Sequence, residues 1–146
     1  MTSYPARILI VEDEILIALE LECLLQEEGY DAVGIAASRA EAASLAHDLA
    51  AQQAPPDLAL VDIHLADGPT GIEVARGLVD DGVKVLFMSA NTKKLPPDMV
   101  GACGAISKPY TERAVRSAIR YVLEDGAGEA PDSFQRSPTW PSSLAA

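Results

Sequence analysis

The chain has 146 residues, a net charge of −11 at pH 7 and an apolar share of 49%. Its length allows one domain with a single sizeable core, and its apolar content excludes an intrinsically disordered chain. The acidic charge excludes a phosphate-binding nucleic-acid surface, and no run approaches the roughly 20 apolar residues of a membrane span.

Residues 1–6 lack a basic segment followed by a long apolar run, so they read as a short N-terminal extension without a secretory signal. Arg7 to Val11 is a continuous apolar run that ends in Glu12-Asp13-Glu14, the pattern of a strand buried on both faces. Residues 14–28 carry apolar side chains at helical spacing up to Gly29, a helix stop. Ile17, Ala18, Leu21, Leu24 and Leu25 form the expected core face of that helix. Ile15, Leu16, Leu19 and Cys23 leave a second apolar stripe, either buried or a docking surface. Asp31 to Ala36 is a weaker strand candidate. Ser38-Arg-Ala-Glu41 has the form of a capping box, and the alanine-rich helix it opens must end before Pro55-Pro56.

Leu58 to Val61 is the next buried run and ends in Asp62. Gly71 to Asp80 predicts a helix with Ile72, Ala75 and Val79 inward. Val83 to Met88 runs to Ser89, and Ala105 to Ser107 runs to Lys108. Between them Pro96-Pro97, Gly101 and Gly104 leave room for hardly more than a turn or two, so a helix there is short or mobile. Thr111 caps a last helix with Ala114, Val115, Ala118, Ile119 and Val122 inward and Arg113, Arg116 and Arg120 on another face. From Asp125 onward Gly, Pro, Ser and Ala dominate without periodicity, which predicts a disordered tail over 125–146 with Trp140 as its one possible anchor.

Strand and helix therefore alternate about five times, the signature of an α/β fold with a doubly wound, five-stranded parallel sheet over residues 7–124. Ligands of such sheets bind outside the carboxyl ends of the strands. Glu12, Asp13, Asp62, Ser89 and Lys108 all stand at such ends. Three carboxylates gathered there repel one another unless a cation balances them. Oxygen ligands without a Cys or His pair favour magnesium, which keeps waters for a phosphate, over zinc. A carboxylate beside such a metal can attack phosphorus, with Lys108 and the Ser89 hydroxyl placed to neutralise phosphoryl oxygens.

The motifs Ile-Leu-Ile-Val-Glu12-Asp13-Glu, Leu-Val-Asp62-Ile-His-Leu, Phe-Met-Ser89-Ala and Ser-Lys108-Pro109-Tyr resemble those of response-regulator receiver domains of bacterial two-component signalling, over residues 7–124. The resemblance implies a flavodoxin-like receiver fold with Asp62 as phosphoacceptor. It implies Mg2+ (or Mn2+) bound by Asp13, Asp62, Glu12 and the backbone carbonyl of His64. It further implies phosphoryl contacts from Ser89 and Lys108, and a cis Lys108–Pro109 bond. The implied upstream partner is a histidine kinase or histidine phosphotransfer protein. The chain is then a phosphoprotein that takes part in its own phosphorylation and dephosphorylation, not an enzyme acting on a separate substrate.

Two departures from the family pattern stand out. Ala105 occupies the position of the usual switch aromatic, and the segment after Ser89 lacks a well-specified helix. Both are similar to an atypical receiver subgroup with a mobile fourth-helix region. The charged loop with Lys93 and Lys94 beside the pocket suggests that phosphate would order residues 90–104. Residues 93–120 carry six basic residues against Asp98 and Glu112, so the 90–120 region could meet a downstream protein or a second copy. With no output domain expected, the leading function is a single-domain signalling switch. A phosphoryl shuttle or phosphate sink in a phosphorelay is the alternative. An aspartyl-nucleophile phosphohydrolase is a remote one, because His64 stands where a haloacid-dehalogenase-like enzyme has its second acid. Two unpaired cysteines, Cys23 and Cys103, fit a reducing, cytoplasmic setting.

Overall fold

The structure is a computed structural model and describes residues 4–140. Strands β1 (Arg7–Val11), β2 (Asp31–Ala36), β3 (Leu58–Asp62), β4 (Lys84–Ser89) and β5 (Gly104–Ser107) form a parallel sheet. Helices α1 (Ile15–Glu27), α2 (Arg39–Ala51), α3 (Gly71–Asp80) and α4 (Glu112–Leu123) connect or follow them. The strand order β2-β1-β3-β4-β5 reverses direction at β1, as a doubly wound sheet must.

The strands are apolar on both sides because each side is covered. Leu9, Val11, Val61, Phe87 and Ala105 point into one layer with Ala42 of α2 and Val74, Ala75 and Leu78 of α3. Ile8, Ile10, Leu60, Leu86 and Ile106 point into the other, with Ala18, Leu21, Leu24 and Leu25 of α1 and Val115, Ala118, Ile119 and Val122 of α4. Alternation along each strand thus assigns each residue to one of the two layers. In α3, Val74 and Leu78 are the buried positions beside Ala75, while Ile72 and Val79 sit at the margin.

Capping follows the sequence. Ser38 accepts from Glu41 N–H and Ala37 N–H donates to the Glu41 carboxylate, a capping box that borrows the residue before the cap. Thr111 accepts from Ala114 N–H at the start of α4.

The β4–β5 connection holds two 3-10 turns, Thr92–Lys94 and Met99–Gly101, in place of an α-helix. The turns are tied down by Leu95 and Met99, both buried in the layer that contains Phe87 and Ala105. These side chains and Ala102 share that layer with Ala105, the position where the resemblance implies an aromatic ring. Val100 takes a left-handed backbone, φ 47°, unusual for a β-branched residue.

Among the described residues the sheet has six strands rather than the expected five. Phe134–Arg136 forms β6, antiparallel to β5, with Gly104 opposite Arg136, Ala105 opposite Gln135 and Ile106 opposite Phe134. Residues 133–140 of the segment read from composition as a disordered tail thus lie against the domain. A three-residue strand has no periodicity of its own, and its stability comes from Gly104 and the Tyr121 ring, both distant in sequence. Trp140, the tail's one possible anchor, packs against Tyr121, 5.9 Å between ring centroids. Residues 141–146 of the predicted tail lie outside the described residues.

Candidate functional site

β1, β3, β4 and β5 end side by side, so the residues after them converge on one edge of the sheet. Asp62 pairs with Met88 and Ser89 with Ser107, which sets Asp62, Ser89 and Lys108 on adjoining strand ends. Glu12 N–H donates to the Ala36 carbonyl at 2.9 Å, and Lys108 N–H to the Ser89 carbonyl at 2.8 Å, so the backbone ladder runs on into the site. Carboxylate oxygens of Glu12, Asp13 and Asp62 lie within 4.8 Å of one another.

The Lys108 ammonium stands between two of these acids, 2.7 Å from Asp62 Oδ2 and 3.2 Å from Glu12 Oε1. The second oxygen of each acid also has a donor. Glu14 N–H reaches Glu12 Oε2 at 3.1 Å, and His64 N–H reaches Asp62 Oδ1 at 3.4 Å. Ser89 is buried and its Oγ accepts from Asn91 N–H at 3.0 Å, which leaves the hydroxyl proton free to donate elsewhere. The Lys108–Pro109 bond is cis, as the family resemblance implied.

Electrostatics reflect crowding and burial. Glu12 is 3% exposed, and that desolvation, assisted by the Asp62 charge and opposed by the Glu14 N–H and Lys108, lifts its carboxyl to about 7. Burial alone lowers the pKa of the Lys108 ammonium. The hydrogen bond and charge of Asp62, followed by Glu12, outweigh burial and hold the pKa above its ordinary value. One ammonium among three carboxylates leaves a surplus of negative charge that a divalent cation would relieve.

The donor set fits such a cation. It is made of carboxylate oxygens alone, the preference of hard ions. Glu12, Asp13 and Asp62 each offer the cation one oxygen from the same edge of the sheet. Of the sequence-predicted site residues, the structure brings Glu12, Asp13, Asp62 and Lys108 together and sets Ser89 on the neighbouring strand end. His64 has an exposed ring, and the contact it makes with Asp62 is through its N–H.

Sequence reasoning missed Gly71. A Cβ built there collides with the Asp62 carbonyl and comes within 2.7 Å of Ile63 Cα, so only glycine lets α3 start against the end of β3. Its N–H donates to the Ile63 carbonyl at 2.9 Å, which braces the acceptor loop. A glycine at a helix start after Pro69-Thr70 is the available signal, and it is a weak one. Asp67 was also overlooked: its carboxylate accepts from Arg39 N–H at 3.0 Å and Thr70 Oγ1 at 2.7 Å, tying the same loop to α2. Those bonds, led by the Arg39 N–H, hold Asp67 below its usual carboxylate pKa.

The family model for the response regulator receiver domain matches residues 8–120. The chain belongs to the response regulator receiver family. The receiver is 35% identical over 118 residues to the phyllosphere-induced regulator PhyR of Methylorubrum extorquens, a match covering 80% of this chain and 43% of that protein. It is 43% identical over 128 residues to the transcriptional regulatory protein PdtaR of Mycobacterium tuberculosis, covering 83% of this chain and 58% of that one. The chain thus spans about half the length of these curated relatives. The receiver domain of Erythrobacter litoralis PhyR superposes with a TM-score of 0.68 at 30% identity, covering 88% of this chain and 97% of that one. These relatives are bacterial regulators, and the receiver is a component of two-component signalling. No helix among the described residues is long and apolar enough to cross a membrane.

Proposed function

We propose that Asp62 accepts a phosphoryl group from a phosphohistidine and that the resulting charge change is the signal. The observation that carries this reading is the position of the Asp62 carboxylate, inside an acid cluster and 2.7 Å from the Lys108 ammonium at the sheet's carboxyl edge.

An Asp62 carboxylate oxygen attacks phosphorus, the O–P bond forms, and the N–P bond to the donor imidazole breaks. The imidazole leaves with the bond's electron pair and takes a proton from solvent. Lys108 then follows the negative charge from the carboxylate to the phosphoryl oxygens, and the Ser89 hydroxyl donates to one of them. Glu12, Asp13 and Asp62 would hold Mg2+, with the His64 carbonyl as a further ligand; when bound, it supplies positive charge toward the phosphoryl oxygens. Water can later attack phosphorus; as its O–P bond forms, the O–P bond to Asp62 breaks, and inorganic phosphate leaves with the free carboxylate restored.

The donor is a histidine kinase or a histidine phosphotransfer protein. The surface that supports its docking is the outer stripe of α1, where Ile15, Leu16 and Leu19 are 60%, 74% and 46% exposed. A groove of about 360 Å³ lined by Ile17, Glu20, Ala90, Lys108, Pro109 and Tyr110 runs from that helix to the site. An exposed apolar stripe on the helix that also lines this groove is what a transient partner needs to cover.

The test is phosphotransfer from a histidine kinase, or from a small acyl phosphate, to wild type and Asp62→Ala in the presence of magnesium. Wild type is expected to acquire a hydroxylamine-labile label that Asp62→Ala lacks. Equal labelling of the variant would remove Asp62 from the role.

A further inference from the structure

Residues 133–140 cross the outer edge of the sheet as a strap. Besides the β6 register, Ser107 N–H donates to the Ser133 carbonyl at 3.4 Å and Ser137 N–H to the Cys103 carbonyl at 3.0 Å, so the strap occupies the whole edge of β5. Gly104 makes this seat. The three atoms nearest to a Cβ built there all belong to the strap, the Gln135 carbonyl and two carbons of the Phe134 ring. The Phe134 ring meets Tyr121 edge-on at 5.3 Å, and the Arg136 guanidinium lies 5.6 Å from the centroid of the Trp140 ring. Ser137, buried, donates its Oγ to the Asp98 carbonyl at 3.4 Å and so links the strap to the second 3-10 turn.

The strap's anchorage is nonetheless thin. β6 is three residues long and, among the described residues, has a partner on one side only, and Phe134 and Trp140 are half-buried. It hangs from residues 124–133, where Asp125, Gly126 and Gly128 take left-handed backbone. A segment held by so few buried groups opens at a free energy well below global unfolding. Ten linker residues can reach about 33 Å when extended, enough to carry a strap to a neighbouring molecule. A bare β5 would offer unpaired N–H and C=O groups to any incoming strand.

We propose that the β5 edge is a strand-acceptor site, that residues 133–140 are its exchangeable occupant, and that its partner in trans is the same segment of a second copy of this chain. The occupant's identity follows from the seat: the cleft left by Gly104 is filled by Phe134 and the Gln135 carbonyl, and every copy carries a strap that fits it. This inference stands apart from the chemistry of Asp62.

The test uses the full chain with Phe134→Ala, and a dye-labelled peptide of residues 131–140 as the probe for a second copy's strap. Trp140, the single tryptophan of the chain, reports strap release. The variant is expected to show red-shifted, more readily quenched emission and to bind the peptide at least tenfold more tightly than wild type, which keeps its own strap seated. Adding Gly104→Ala to Phe134→Ala is expected to abolish that binding, because the new methyl group occupies the seat. A released strap without peptide binding overturns the proposal. So does unchanged Trp140 emission in Phe134→Ala, or binding that survives Gly104→Ala.

Discussion

Lys108 and Asp62 form the shortest ion pair at the sheet's carboxyl edge, Nζ to Oδ2 at 2.7 Å, and the same ammonium reaches Glu12 at 3.2 Å. The lysine that is positioned to bind a phosphoryl group is thus already the counter-ion of the carboxylate that would receive it.

Replacing Lys108 by Met removes that counter-ion and leaves two largely buried acids facing each other. Stability without metal should fall by about 2 kcal/mol, since removing one member of a desolvated pair leaves the other charge uncompensated. Magnesium should then raise the melting temperature of Lys108→Met more than that of wild type. Thermal unfolding with and without magnesium measures both effects, and an equal magnesium response in the two proteins would contradict the counter-ion role.

Gly71 and Gly77 lie on the same helix and should respond in opposite directions. Gly71→Ala drives a methyl group into the backbone of Asp62 and Ile63, which cannot yield without displacing the acceptor loop. A loss of about 2–3 kcal/mol is expected, together with slower phosphotransfer. At Gly77 an added methyl group meets nothing within 4 Å, so Gly77→Ala should gain about 0.5–1 kcal/mol through helix propensity. Denaturant unfolding of the two variants checks the contrast.

The two cysteines should separate by exposure. Cys23 is exposed, with the Glu27 carboxylate beside it holding its thiol pKa up, whereas burial pushes Cys103 up to about 11. A thiol reagent should modify Cys23 in the native protein and reach Cys103 only on unfolding, and Glu27→Gln should speed the reaction at Cys23. The linkage has a definite sign: above the unfolded thiol pKa, 9.0, the unfolded state loses the Cys103 proton while the folded state retains it until about 11. Stability contributed by this group is therefore lost as pH rises from 9 toward 11, and Cys103→Ala should show a shallower decline over that range.

The segment 90–104 should gain protection when the site is loaded. Its first 3-10 turn is closed by Lys94 N–H to the Asn91 carbonyl and Leu95 N–H to the Thr92 carbonyl, both 3.2 Å, and its cap, Asn91, stands two residues after Ser89. Pulling the Ser89 hydroxyl toward a phosphoryl group acts directly on Asn91, whose N–H now donates to that oxygen. Amide exchange with magnesium and beryllofluoride should slow at Lys94 and Leu95, and unchanged rates would refute the coupling.

What was legible in the chain follows from the range of the forces involved. Strands buried on both faces announce themselves as apolar runs, and in a parallel sheet the residue ending each run must stand at the carboxyl edge; Glu12, Asp62, Ser89 and Lys108 could be read together for that reason. Pro96-Pro97 likewise excluded a regular helix before β5, where two 3-10 turns stand. The β6 strap escaped because Phe-Gln-Arg carries no local signal and its seat is a missing methyl group at Gly104, about thirty residues earlier. Gly71 escaped for the same reason: its requirement is a close approach to Asp62, which only the folded backbone creates. The basic residues of α4 read as a possible docking face, yet Arg116 is paired with Glu27, Glu28 and Glu112, and Arg120 with Glu28, so much of that charge is matched within the chain.

Everything proposed for this site turns on the Asp62 carboxylate as the group that takes the phosphoryl. Mass spectrometry of the chain after reaction with a phosphorylated histidine kinase and magnesium, with the labile acyl phosphate trapped by borohydride, localises the modified residue directly. Trapping is expected at Asp62, with none in Asp62→Ala. Modification at Asp13, at Glu12 or outside the cluster, with Asp62 unmodified, would contradict it.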